Sequence, residues 1–124
     1  MLKAAALCVA LVGTTSAAWA EAGADCADGK NLDLQIRSCT ELIDSAGGSQ
    51  MSRATAYLYR GLGYLNKIEL DRAAPDLDEA IRLDPSSHQA YGLRGRLSVY
   101  KGNLDLALAD FARALSLNPR DSRL

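Results

Sequence analysis

Ala56-Tyr57-Leu58-Tyr59-Arg60-Gly61 is answered 34 residues later by Ala90-Tyr91-Gly92-Leu93-Arg94-Gly95, and the match runs on to Asp84-Pro85 and Asn118-Pro119. Between these ends the same offset pairs Lys67 with Lys101, Leu70 with Leu104, Asp71 with Asp105, Ala73 with Ala107, Asp76 with Asp110 and Ala80 with Ala114. A period of this length belongs to a helix-turn-helix unit that stacks on copies of itself. The repeated positions read as a packing code: an aromatic on the first helix, a glycine one turn later that lets two helices approach, and alanines facing that glycine from the second helix.

Working outward, apolar residues recur at helical spacing over about 51–67, 70–83, 88–101 and 104–117. Asp84-Pro85 and Asn118-Pro119 end two of these runs, because the residue before proline is pushed out of the helical region. Gly102-Asn103 supplies a left-handed turn followed by an N-cap. Upstream, Leu32, Ile36, Cys39, Leu42 and Ile43 predict a further amphipathic helix, capped by Asn31 or Asp33 and ended by Gly47-Gly48. Residues 21–30 show no apolar period and read as a loose lead-in held only by Cys26. The fold class is all-α: a short right-handed solenoid of two helix hairpins, with repeats over about 54–87 and 88–121 of a 50–124 domain. The 21–49 stretch precedes it.

Residues 1–20 have a basic start at Lys3, an apolar run over 4–12 and the ending Ala18-Trp19-Ala20. This is the pattern of a secretory signal peptide, with cleavage expected after Ala20. Gly13, Thr14, Thr15 and Ser16 interrupt the run, which argues against the alternatives of a short membrane anchor or a buried helix. No cysteine follows the cut directly, so a released protein without a stable membrane anchor is expected, periplasmic or secreted from a bacterium. Loss of Lys3 moves the formal charge from -1 to -2. That balance makes nucleic acid a poor partner.

Two cysteines then remain, Cys26 and Cys39. In an oxidising compartment such a pair bridges, and a loop of this size stabilises by about 3 kcal/mol. The spacing is not the C-x-x-C of a redox or metal pair, so a thiol-redox protein is a remote alternative. His88 is the sole histidine and reads with Ser87 as a helix start, and no nucleophile, phosphate loop or metal-ligand cluster accompanies it. No enzyme activity, cofactor or metal is expected. The carboxylates Asp71, Asp76, Asp78, Glu79, Asp105 and Asp110 read as solvated helix surface. Arg60 and Arg94 read as partners of Asp76 and Asp110 in repeated surface pairs worth about 0–1 kcal/mol, or else as a basic ladder for an anionic ligand.

Residues 54–119 resemble the tetratricopeptide repeat family. Its consensus aromatic falls on Tyr57 and Tyr91, its small residue on Gly61 and Gly95, its alanines on Ala73, Ala80, Ala107 and Ala114, its bulky residue on Leu77 and Phe111, and its closing proline on Pro85 and Pro119. The Cys-containing helix also looks like that of small secreted bacterial proteins of this family. Three departures stand out. Pro75 lies inside the second helix of repeat one and should kink it or delay its start. Ile68 stands where repeat two has Gly102, so the first turn should close differently. No polar capping helix follows the second repeat, so apolar surface is expected there.

The resemblance implies a protein-interaction module whose first helices line a concave groove for a peptide or protein. By position the groove presents Thr55, Leu58, Tyr59, Leu62 and Asn66, then Gln89, Gly92, Arg96, Val99 and Tyr100. Leu58, Tyr59 and Leu62 could equally pack beneath the N-terminal helix. The family's clamp for chaperone C-terminal carboxylates needs Lys and Asn near Leu58 and Leu62, so such tails are not expected to bind. The alternative use of the chain is structural, with a second copy meeting the uncapped C-terminal face.

Overall fold

The computed structural model describes residues 20–45 and 48–120. The expected leader therefore lies outside the described residues except for Ala20. After a helical segment over 20–27, five helices follow one another: α1 (Leu32–Asp44), α2 (Gln50–Asn66), α3 (Leu70–Leu83), α4 (His88–Tyr100) and α5 (Leu104–Leu117). Each packs on the next, and α2 also touches α4. The two repeats are the hairpins α2–α3 and α4–α5. The all-α hairpin stack read from the sequence is thus the architecture of the described residues.

Side-chain caps fix most starts. Asn31 accepts a hydrogen bond from the Leu34 amide, Ser49 from Ser52, Ser87 from Ala90 and Asn103 from Leu106. Each side-chain oxygen satisfies an amide that has no partner inside the helix.

The glycine code holds, but its partner is not an alanine. A Cβ on Gly61 would lie 2.9 Å from Leu77 Cδ2, and one on Gly95 would lie 2.6 Å from Phe111 Cε1. The bulky consensus residue of the second helix therefore seats on the glycine of the first. Ala73, Ala80, Ala107 and Ala114 are buried alongside.

Ile68 overturns the expectation of a different first turn. It takes φ 59°, the left-handed region that Gly102 occupies at φ 77°. The closing bonds are the same in both hairpins. Ile68 and Glu69 donate to the carbonyls of Leu65 and Tyr64, as Gly102 and Asn103 donate to those of Val99 and Ser98. This pair of bonds ends a helix economically, but it forces a β-branched side chain into a conformation suited to glycine. Ile68 is also exposed and has little packing to lose. Ile68→Gly is expected to stabilise the protein by about 1 kcal/mol, read as a higher urea midpoint; an unchanged or lower midpoint would show that Ile68 makes a compensating contact.

Pro75 does not delay its helix. α3 starts at Leu70, the counterpart of Leu104 at the start of α5. Pro75 sits on the exposed side, and the carbonyl it leaves without a donor belongs to the exposed first-turn residue Asp71.

The lead-in is a further correction, because residues 20–27 are helical. Alanines at 20, 22, 24 and 27 favour helix without contributing a large apolar period. Ala22 and Cys26, one turn apart, are both buried. Cys26 is bridged to Cys39, with Cα atoms 4.7 Å apart and neither residue more than 3% exposed. This helical segment and α1 form a third hairpin ahead of the two repeats.

The buried face of α1 is also broader than its apolar residues predict. Gln35 and Ser38 are buried beside Cys39 and Ile43, while Leu42 is half-buried. Gly63 explains the close crossing, since a Cβ there would lie 3.0 Å from Ile36. Gln35 Nε2 donates to the Tyr59 carbonyl at 2.9 Å, which satisfies one end of a buried amide.

Candidate functional site

The predicted groove residues divide into three groups. Thr55, Asn66, Gln89, Val99 and Tyr100 are exposed. Leu58 and Tyr59 are half-buried and claimed by the core: Leu58 packs against the cluster of Leu65, Leu77 and Leu97, and Tyr59 against Cys26, Cys39 and Ile43. Gly92 is buried, while Leu62 and Arg96 are half-buried. The first helices of the two repeats are linked here, because Arg96 Nη2 donates to Asn66 Oδ1 at 2.6 Å.

At the N-terminal end of this surface lies a cleft of about 460 Å³ between the 20–27 helix, α1 and α2. Thr55 and Tyr59 line it together with Cys26, Leu42 and Met51. Of these, Met51 is 58% exposed and offers a flexible apolar side chain at the rim. The N-terminal hairpin therefore covers Tyr59 but leaves an opening beside Thr55. The residues around it from segments 20–27 and 32–44 escaped the sequence reading because the first of these had no recognisable helix pattern.

The Arg–Asp pairs are more buried than a surface reading allows. Arg60 donates Nε and Nη2 to the two oxygens of Asp76 at 2.8 and 2.7 Å, and Arg94 does the same to Asp110 at 2.9 and 2.9 Å. The side chains of Asp76 and Asp110 are 6% and 12% exposed. Neither carboxylate is solvated surface. Hydrogen bonding to Asp76 raises the Arg60 pKa above the ordinary arginine value, and bonding to Asp110, with a smaller contribution from Asp78, does so at Arg94. Each guanidinium also lies over the ring of its repeat's aromatic, 5.5 Å from Tyr57 and 5.6 Å from Tyr91. With these commitments the arginines serve as joints in the stack.

A second joint recurs between hairpins. Lys67 pairs with Asp33, and Lys101 Nζ lies 3.5 Å from Asp71 Oδ1. The hydrogen bond from Lys67 lowers the Asp33 pKa below its usual value and raises that of Lys67. His88 Nε2 faces the Asn118 amide at 3.3 Å across the second hairpin, and Ser87 supplies the cap beside it.

Comparison with known proteins agrees with this geometry. Residues 88–121 match the family model described as tetratricopeptide repeat. Over 84 residues, 67% of the chain, the sequence is 31% identical to the human mitochondrial import receptor subunit TOM70. Over 90 residues, 73% of the chain, it is 29% identical to human Superkiller complex protein 3, and a similar match is made to tetratricopeptide repeat protein 37 of Xenopus laevis. These matches span 14% of the receptor subunit and 6% of the other two proteins. The matched residues, the 34-residue period and the repeated glycine and Arg–Asp joints together place the chain in the tetratricopeptide repeat family.

Proposed function

We propose that the protein is a non-enzymatic interaction module that binds a peptide or protein along its first-helix surface, in the bacterial periplasm or envelope. The observation that carries this reading is a preformed surface: Thr55, Gln89, Val99 and Tyr100 are exposed on two first helices already fixed to each other through Arg96 and Asn66. A surface fixed before binding loses little conformational freedom when a partner arrives. The relatives named above include a receptor subunit and a component of a complex, roles compatible with binding protein. The location rests on the leader-like start and on the Cys26–Cys39 bridge, which suits an oxidising compartment. Both residues that bury the 20–27 helix, Ala22 and Cys26, would remain after cleavage behind Ala20.

The test is site-specific photocrosslinking in a bacterial periplasm, with the probe placed at Gln89 or, as control, at Glu41 on the exposed side of α1. A discrete adduct from Gln89 and none from Glu41, on protein whose intact mass begins at Glu21, is expected. Equal adducts from both positions would remove the groove assignment, and an unprocessed mass would remove the location.

A further inference from the structure

The stack shows twice how one hairpin receives the next, and among the described residues nothing covers the same receiving face of α5. On α3, Leu70 and Ala74 share an apolar cluster with Leu93 and Leu97 of α4. Lys101 from the end of α4 reaches Asp71, and Arg94 Nη1 donates to Asp78 Oδ1 at 3.1 Å. On α1, Lys67 reaches Asp33, and Arg60 Nη1 donates to Thr40 Oγ1 at 3.2 Å. Each receiving helix thus supplies an aspartate in its first turn for a lysine, an apolar strip, and an oxygen acceptor for an arginine.

Applied to α5, the 34-residue offset gives Leu104, Leu108, Leu115, Asp105 and Ala112 for Leu70, Ala74, Ile81, Asp71 and Asp78. Leu104 is 62% exposed, Leu108 67% and Leu115 40%, whereas their counterparts on α3 are half-buried. Asp105 is exposed and has no cationic partner among the described residues. The strip is more apolar than its covered counterpart, since Leu108 replaces Ala74. The arginine acceptor is lost at Ala112.

We propose that this face docks an amphipathic helix of another protein, laid along α5 as α4 lies along α3. That helix carries a Lys or Arg near its C-terminal end over Asp105, apolar side chains on Leu104 and Leu108, and no arginine at the register of Arg94. Such an arginine would lose its acceptor at Ala112. Charge argues against a second copy as the occupant. Arg113 is the cation of α5, and at 100° per residue it projects roughly 160° from the middle of the leucine strip, too far round to meet a symmetry-related Asp105. This docking is independent of the groove, so either site can fail without the other.

The probe is a labelled synthetic peptide of residues 86–103 carrying Gly92→Ala, Gly95→Ala and Arg94→Leu, titrated into the full disulfide-bonded chain by fluorescence anisotropy. Saturable binding is expected, weakened at least tenfold by Leu108→Asp, an exposed site whose change leaves the melting temperature alone. Asp105→Lys should weaken it severalfold, and a peptide with Lys101→Asp should restore it. That charge swap also separates α5 from the α3 face, where the peptide sequence normally packs. Absence of saturable binding, indifference to Leu108→Asp, or failure of the swap would overturn the proposal. So would sedimentation showing a wild-type dimer that Leu108→Asp splits, because the occupant would then be a second copy.

Discussion

Replacing Arg60 with leucine is expected to lower the unfolding free energy by about 3–5 kcal/mol. The reason is the state of the partner left behind. Asp76 is 6% exposed and its two oxygens accept the two parallel bonds from Arg60, so removing the guanidinium strands a carboxylate where water hardly reaches it. Thr40 loses its contact with Nη1 as well. Arg94→Leu should cost less, about 1–2 kcal/mol, because a third of that side chain faces solvent and screens the pair. The double variant Arg60→Leu/Asp76→Leu should recover most of the loss, since it leaves no buried charge to compensate. Urea unfolding of the three variants settles the matter. A loss below about 1 kcal/mol for Arg60→Leu would mean that solvent reaches Asp76 despite its burial.

Replacing both Cys26 and Cys39 with alanine is expected to cost about 3 kcal/mol, most of it by freeing the unfolded chain between them. The location of the damage matters as much as its size. The 20–27 helix is about two turns long and buries only Ala22 and Cys26 within itself. Isolated helices of this length are marginal in water. Limited proteolysis of the alanine variant should therefore cut within 20–30 while α2 to α5 remain protected. Cleavage spread evenly over the chain would show that the bridge supports the whole stack, and an unchanged urea midpoint would show that packing alone holds the terminal hairpin.

Much of this fold was legible because a repeat states its packing twice. The pairs Gly61/Gly95 and Leu77/Phe111 announced a close hairpin before any coordinates, although a pattern in one dimension could not say that Leu77, and not Ala73, sits on the glycine. Burial of Asp76 and Asp110 was invisible for a related reason, since it depends on a guanidinium 16 residues away that both neutralises and covers each carboxylate. The 20–27 helix escaped because alanine favours helix while giving almost no periodic signal. Ile68 misled because residue preference argued against a turn that the flanking helices impose. At the candidate groove, Thr55, Gln89, Val99 and Tyr100 are exposed. For Tyr59 the alternative that the sequence left open, packing beneath the N-terminal helix, is the one observed, against Cys26, Cys39 and Ile43.

The bridge between Cys26 and Cys39 gives the stack a direction. A linear array in which each hairpin leans on its neighbours opens most readily from whichever end is held least. Among the described residues one end is covalently stapled and the other is α5, with four exposed leucines. Spontaneous opening should therefore begin at the second repeat and travel toward the staple, as a zipper runs from its free end. The arriving helix proposed for α5 would act as the second stop.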